Sequence, residues 1–225
     1  MTYFLLPQTI SNSLYELTTL PVSLSLIDYV SKMTLIEYNP IHTSYTPKTP
    51  YFFIMAELLQ LHKLSFTTSL HFGTQSCLEY LNYIGKKGIH IENGAAGTYS
   101  LIVNDGELDL SVLSYQEQHG CFISKMSDST SSESIQYLYK LCSSYRHVYL
   151  CKPDSENQTS SVKYVIAIDF LCNPDTKNVK IPYYFRMKLE DINSVFGQTQ
   201  LEHLRFIEYS KIKSIDWCLK YSIPI

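Results

Sequence analysis

The sequence predicts one α/β domain with a mostly parallel central sheet, helices on both faces and a last antiparallel strand. A length of 225 residues suits one core. The chain is 45% apolar and 17% charged, which is an ordinary globular composition. Strand-like and helix-like segments alternate through its middle, and this order is typical of parallel strands joined by helices.

The predicted elements follow one another with clear breaks. Apolar residues at helical spacing predict a helix over 51–64, and residues 67–72 read as a short strand that Gly73 ends. A capping box at 130–133 precedes the helix predicted at 135–144. Only a polar loop separates the last two strands, so they are expected to be antiparallel. The other predicted elements are a helix at 76–84 and strands at 88–92, 98–104, 120–126, 147–151 and 163–171.

The two ends of the chain are less regular than its middle. Residues 1–50 mix short apolar runs with Ser, Thr and Pro, and we expect an N-terminal extension that packs on a domain formed by residues 51–225. A last long helix is predicted from about Gln198 to Tyr221, where apolar residues form one stripe.

Composition narrows the classes of partner. The net charge is −3 and the basic residues are scattered, which argues against strong RNA binding by this chain alone. No stretch approaches the roughly 20 apolar residues of a membrane span, so no membrane partner is expected. The six cysteines form no CxxC pair, which disfavours a zinc site, and the absence of a secretory signal favours reduced thiols in an intracellular compartment.

Six segments occur in an order that suggests a family. They are YFFIMAELL (51–59), SLHFG (69–73), LIVNDGE (101–107), GCFISKM (120–126), YLCKPDSENQTSSVKYV (149–165) and IDWCLKYSIP (215–224). Together they resemble the FtsJ-like RNA 2′-O-methyltransferases, in particular the mRNA-cap forms of large DNA viruses. The resemblance implies a Rossmann-like methyltransferase fold and transfer of a methyl group from S-adenosylmethionine to a ribose 2′-hydroxyl.

The resemblance also implies a catalytic tetrad of Lys, Asp, Lys and Glu. Its central lysine removes the hydroxyl proton and must therefore be partly neutral. The aspartate corresponds to Asp105 and the central lysine to Lys125. Ile54 and Val162 stand at the positions of the other lysine and the glutamate, and Asn157 stands where the family has an arginine. Loss of groups that act as a unit is expected to lower the rate by several orders of magnitude.

The cofactor loop departs further from the family's pattern. Residues 71–81 correspond to it, but the loop is shorter, keeps one glycine, Gly73, and has Thr74 in place of its acidic residue. Larger side chains then fill space that glycine leaves for a cofactor. The segments 93–97 and 109–118 are also short. We therefore predict that the chain binds no cofactor and no metal, with S-adenosylmethionine only in the case of an active enzyme.

The candidate residues also have structural interpretations. Asp105 before Gly106 is a common turn pair, and Lys125 at a strand end is compatible with a solvated side chain. The two would then form at most a surface salt bridge. His71 and His119 lie near the predicted site, and we interpret both as packing or hydrogen-bonding residues rather than as catalysts.

Three functions remain in competition. The leading one is a pseudoenzyme that acts as a protein-interaction or structural subunit, in the cytoplasm or a virion, for which aromatic residues such as the 19 tyrosines suit an interface. The second is an active RNA 2′-O-methyltransferase that uses Asp105 and Lys125. The third is an RNA-binding module with tyrosine stacking, which the low basic content disfavours.

Overall fold

A seven-stranded sheet organises the molecule. The computed structural model describes residues 2–6, 47–49, 51–74, 77–158, 160–174 and 179–205. The strands are β1 (Thr2–Leu5), β2 (Ser69–Phe72), β3 (Gly88–His90), β4 (Tyr99–Asn104), β5 (Gln116–Met126), β6 (Tyr145–Lys152) and β7 (Lys163–Phe170). The helices are α1 (Tyr51–Leu61), α2 (Leu78–Tyr83), α3 (Ser132–Ser144) and α4 (Tyr183–Arg205), with short 3-10 helices at Ile91–Asn93 and Ser111–Tyr115.

The sheet is mixed, with the order β1-β6-β7-β5-β4-β2-β3. The pairings β2–β3, β2–β4 and β4–β5 are parallel. β7 lies antiparallel between β5 and β6, and β1 is antiparallel to β6. The α/β class and the antiparallel pair β6–β7 are therefore confirmed. Half of the pairings are antiparallel, because the loop between β6 and β7 holds no crossover helix and β1 adds another reversed strand.

Helices cover both faces of the sheet, as predicted. On one face α1 and α2 bury Phe52, Leu58 and Tyr80 against β4, β5 and β7. On the other face α3 and α4 bury Leu138 and Phe185 among residues from β2, β4, β5, β6 and β7. Each face thus has its own apolar core, and the packing of both cores against the sheet fixes the positions of the strand ends.

Several element bounds differ from the sequence-based expectation. β5 begins at Gln116 rather than at residue 120. The N-cap of α3 is Ser131, whose hydroxyl accepts from the Ser134 amide, so the capping box is displaced by one residue. α4 begins at Tyr183, not near residue 198, because the carbonyl of Pro182 already accepts from the amide of Phe185 at 3.1 Å. The rest of that predicted helix, from residue 206 onward, lies outside the described residues.

The described part of residues 1–50 contributes one strand. β1 pairs with β6 at the edge of the sheet, in a register that places Thr2 opposite Lys152. Residues 47–49 are held by α2, since the carboxylate of Glu79 accepts from the amides of Lys48 and Thr49 at 2.8 and 3.1 Å. Among the described helices, none is long and apolar enough to cross a membrane.

Candidate functional site

The ends of β2, β4 and β5 bring the predicted residues to one edge of the sheet. Gly73 follows β2, Asp105 follows β4, and Lys125 is the last residue but one of β5. These strands are parallel neighbours, and the carboxyl ends of parallel strands are where α/β proteins place their sites. Asp105 and Lys125 nevertheless form no ion pair in this structure, although the charge of Asp105 contributes to the raised pKa of Lys125.

The Asp105 carboxylate is occupied by the loop after β2. Its Oδ1 accepts from the Thr74 amide at 2.7 Å, and its Oδ2 accepts from the Thr74 hydroxyl. Gly73 has a φ of 92° and lies so close that a Cβ there would overlap Oδ1 of Asp105 and approach the Gly106 nitrogen to 2.8 Å. The loop and the strand end are therefore in direct contact, with no gap between Gly73 and Asp105.

Asn104 shapes the turn that carries Asp105. Its side-chain oxygen accepts from the Gly106 amide at 3.1 Å, and its side-chain nitrogen donates to the Glu107 carbonyl at 2.9 Å. Asn104 is buried, so both bonds are shielded from water. Asp105 therefore has two roles. Its carboxylate accepts from Thr74, and its backbone lies in the turn that the pair Asp105–Gly106 predicted.

Two histidines, His90 and His71, lie next to the loop that follows β2. His90 Nε2 lies 3.0 Å from the Gly73 carbonyl. His71 is fully buried, with Nδ1 at 2.9 Å from the Cys77 sulfur and Nε2 at 3.0 Å from the Ser69 hydroxyl. Burial, with a smaller contribution from His90, lowers the pKa of His71 to about 4, and burial raises the pKa of the Cys77 thiol to about 12. The pair is thus neutral at pH 7, which suits packing and not nucleophilic catalysis.

A different set of side chains surrounds Lys125. Its Nζ lies over the ring of Tyr51, 5.2 Å from the ring centre. The carboxylate of Glu156, from the loop between β6 and β7, also acts on Lys125 and accepts from the buried Tyr164 hydroxyl at 2.8 Å. We call Tyr51, Lys125, Glu156 and Tyr164 the lysine cluster, and Gly73, Thr74 and Asp105 the closed loop.

The surroundings of Lys125 favour its charged form. Partial burial lowers the pKa of Lys125, but the Tyr51 hydroxyl and the carboxylates of Glu156 and Asp105 together outweigh burial and raise the pKa above its ordinary 10.5. An ammonium group cannot accept a proton. In this arrangement Lys125 is a cation that neighbouring oxygens hold, rather than a general base at neutral pH.

Glu57 fixes the loop that carries Glu156. This fully buried carboxylate of α1 accepts from the amides of Asp154 and Ser155 at 3.2 and 2.9 Å, and from the Ser155 hydroxyl at 2.6 Å. Sequence reasoning missed Glu57 and Glu156. An acidic residue inside an apolar helix was the available signal for Glu57, since such residues are seldom buried without partners.

Two buried lysines bracket the same loop. Lys152 donates to the carbonyls of Ser160 and Val162, the latter at 3.1 Å, and Lys163 donates to the Ser161 carbonyl at 3.1 Å. Burial, reinforced by the charge of Lys163, lowers the pKa of Lys152 to about 7. Burial lowers the pKa of Lys163 to about 8. These hydrogen bonds from buried lysines to backbone carbonyls hold the loop from its buried side.

The structure also places Ile54, Val162 and His119, and only His119 lies where the sequence did not predict it. Ile54 is buried in α1 and Val162 packs on the same core, so neither contributes a polar atom to the lysine cluster. His119 was expected near the site but lies six residues before Lys125 on β5, about 20 Å away along an extended strand. There its Nδ1 lies 2.6 Å from Oδ1 of Asp169, within hydrogen-bond distance. A residue that precedes Lys125 by six positions on the same strand lies towards the opposite end of that strand.

The described residues contain no group of three or more His, Cys, Asp or Glu side chains that could hold a metal ion. No protein-family model matches the chain, and no curated protein matches its sequence.

Proposed function

We propose that the chain is a catalytically inactive protein with a Rossmann-like methyltransferase fold, which acts through contacts with other proteins. The observation that carries this proposal is the closed loop. The segment that resembles a cofactor loop donates two hydrogen bonds to Asp105 and packs Gly73 against it. A cofactor that entered between them would have to break these contacts.

The finer fold assignment is supported by the sheet. The parallel strands β3, β2, β4 and β5, with helices on both faces, fit the Rossmann-like arrangement that the resemblance implies. β7 is the last strand and is antiparallel to both of its neighbours, which also fits.

The protonation of Lys125 supports the loss of catalysis. The family's central lysine must be able to accept a proton from the ribose hydroxyl, but the raised pKa of Lys125 favours its charged form. Ile54 and Val162 offer no charge that would change this.

An intracellular location remains part of the proposal. The described cysteines are free thiols, and four of them are buried: Cys77, Cys121, Cys142 and Cys151. Reduced cysteines of this kind suit the cytoplasm or the interior of a virion.

A methyl-transfer assay tests the absence of catalysis. Purified protein would be incubated with methyl-labelled S-adenosylmethionine and a capped RNA with a free 2′-hydroxyl on its first nucleotide. We expect the wild-type protein and Lys125→Ala to incorporate the same background label. Lys188→Ala, which changes an exposed lysine of α4, controls for loss of surface charge.

The second candidate is an active 2′-O-methyltransferase with a rearranged site. Glu156 favours it, because this carboxylate acts on Lys125 although the family's glutamate position holds Val162. If this candidate is correct, wild-type protein and Lys188→Ala incorporate label whereas Lys125→Ala and Glu156→Gln do not. That pattern would contradict the inactive protein proposed here.

A further inference from the structure

A small cavity lies between the loop that joins β5 to α3 and the first half of α4. Its volume is about 240 Å³, part of which is open to solvent. That is below the roughly 300–1,000 Å³ of pockets for drug-sized molecules, so the cavity suits one small group. We call it the Arg186 cavity, and its polar lining residues are Ser129, Thr130, Arg186, Glu190 and Asn193.

One donor of this cavity lacks an acceptor. The Nε atom of Arg186 is buried and has no hydrogen-bond partner among the described residues. A guanidinium group stays charged in proteins, and its nitrogens only donate. Because a buried donor without a partner is unfavourable, such an atom is expected to receive an acceptor from a water molecule or a ligand.

The neighbouring carboxylates do not supply this acceptor. Asp128 already accepts from the amides of Thr130 and Ser131 at 2.8 and 3.0 Å, and from the Thr130 hydroxyl at 2.6 Å. Glu190 lies one turn after Arg186 on α4 and lines the same cavity. In the part of the chain that the structure describes, however, no ion pair joins Glu190 to Arg186.

The other polar groups of the wall have few hydrogens to offer. The Thr130 hydroxyl donates to Asp128, and the Ser129 hydroxyl donates to Oδ1 of Asn193 at 2.6 Å. The side-chain nitrogen of Asn193 donates one hydrogen to the Ser129 carbonyl at 3.1 Å and carries a second one. The donors that remain for a ligand are therefore the guanidinium group of Arg186 and one N–H of Asn193.

We propose that the Arg186 cavity binds a carboxylate group, which pairs with the guanidinium of Arg186 and accepts a further hydrogen bond from Asn193. A carboxylate and a guanidinium match in geometry, because two parallel N–H groups meet two oxygens. A phosphate group has more oxygens than these donors can bind, and its larger charge would lie beside Glu190.

This inference goes beyond the proposed function and does not depend on it. The Arg186 cavity contains no residue of the closed loop or of the lysine cluster. Binding of a carboxylate and binding of S-adenosylmethionine are separate measurements, so either proposal can fail without the other.

Nuclear magnetic resonance of ¹⁵N-labelled protein tests the proposal at the Nε atom itself. The chain has only three arginines, Arg146, Arg186 and Arg205, so Arg186→Lys identifies the relevant Nε–H signal by its loss. Titration with sodium acetate should shift that signal to saturation. The signal of Arg146, whose Nε lies 2.7 Å from Asp169, should stay in place. Sodium chloride at the same concentrations controls for ionic strength and should produce no saturating shift.

Variants of α4 test the charges around the ligand, with binding read from the backbone amides of the cavity. Arg186→Gln removes the cation and should weaken acetate binding by about tenfold or more. Glu190→Gln removes a negative charge beside the ligand and should strengthen binding by about two- to fivefold. Lys188→Gln, at an exposed position of the same helix, is the matched control and should bind acetate as the wild type does. The amide spectra also verify that each variant folds.

A short peptide with one glutamate and blocked ends separates two sources of the carboxylate. Tighter binding of this peptide than of acetate would support an acidic side chain of a protein partner. Weaker binding of the peptide would support a small free acid.

Four results would overturn the proposal. They are an Arg186 signal that acetate does not shift to saturation, acetate binding that Arg186→Gln leaves intact, and inorganic phosphate that binds more tightly than acetate. The fourth is an Arg186 signal that Glu190→Gln shifts and acetate does not, which would identify Glu190 as the acceptor in solution.

Discussion

The closed loop and the lysine cluster lie at neighbouring strand ends but have different chemistry. In the closed loop, Asp105 accepts hydrogen bonds from Thr74, and both groups belong to the chain itself. In the lysine cluster, Lys125 and Glu156 remain ionisable and only partly buried. Gly73 and Thr74 thus contact Asp105 directly, whereas the lysine cluster keeps ionisable side chains near the surface.

The two halves are held together by different kinds of group. Backbone and short side chains close the loop, so ligand binding there would require a rearrangement. Long side chains form the lysine cluster, and the buried carboxylate of Glu57 holds the loop that positions Glu156. The charge of Asp105 nevertheless acts on Lys125, so a change of Asp105 is expected to affect both halves.

The largest effect is expected for Glu57→Ala. The variant loses a buried acceptor and leaves the Asp154 and Ser155 amides without it, so we expect the free energy of unfolding to fall by about 3–5 kcal/mol. Urea denaturation would measure the change. Glu57→Gln keeps the shape and one oxygen acceptor, and it should cost less. Equal costs for the two variants would show that charge, and not geometry, dominates this contact.

Gly73→Ala should have the next largest effect and should act on the closed loop. The new Cβ would overlap Asp105 at a φ that favours glycine, so we expect a loss of about 2–4 kcal/mol. Gly85→Ala is the matched control, because Gly85 also has a positive φ, of 72°, but no atom lies near its Cβ position. It should cost only about 1 kcal/mol. Similar losses in both variants would refute the close contact with Asp105.

Titration should separate the two buried lysines that hold the loop between β6 and β7 from the buried His71 of β2. Folded Lys152 loses its proton above about pH 7 and Lys163 above about pH 8, whereas unfolded lysines hold theirs to near 10.5. The unfolded state then binds more protons, so stability rises with pH by up to about 1.4 kcal/mol per unit for each lysine. The rise should begin near pH 7 and weaken above about 8.5, where cysteines ionise in the unfolded chain but stay protonated when buried.

His71, which lies on β2 just before the closed loop, produces the second signal. Its folded pKa of about 4 lies below the 6.5 of an unfolded histidine, so the unfolded state binds more protons between these values. Stability should therefore fall as the pH falls from 6.5 to 4. Thermal melts across both ranges would test this, with Lys152→Met as the comparison. That variant should flatten the rise that begins near pH 7 and leave the acid step unchanged.

The smallest effect is expected for Lys125→Gln. Lys125 is only partly buried and its partners reach solvent, so the change in unfolding free energy should stay below about 1 kcal/mol. Differential scanning calorimetry would measure it, with Lys188→Gln on the surface of α4 as the reference. A loss of several kcal/mol would mean that the lysine cluster supports the fold, which the partial exposure of Lys125 does not suggest.

Much of the fold follows from local patterns in the sequence. The middle strands and α1 to α3 have clear apolar spacing, and glycines with positive φ end two of these elements, at Gly73 and Gly85. β1 and the start of α4 were missed for physical reasons. A four-residue strand has too short a pattern, and the start of α4 is marked only by Pro182 before a tyrosine pair.

Only part of the candidate site could be predicted from the sequence. Asp105 and Lys125 could be located because each ends a recognisable strand. Glu57 and Ser155 lie 98 positions apart, and their contact depends on how α1 packs over the end of β6. Glu156 lies in an irregular loop whose conformation follows from that contact. Such positions depend on tertiary structure and leave no periodic signal in the sequence.

Thermal unfolding with and without saturating S-adenosylmethionine tests the central claim most directly. A ligand at 100 times its dissociation constant adds about 2.7 kcal/mol of stability, which should raise the midpoint by roughly 5–10 °C for a chain of this size. The closed loop predicts no shift. A rise of that magnitude would contradict it and would mean that the loop after β2 opens to admit the cofactor.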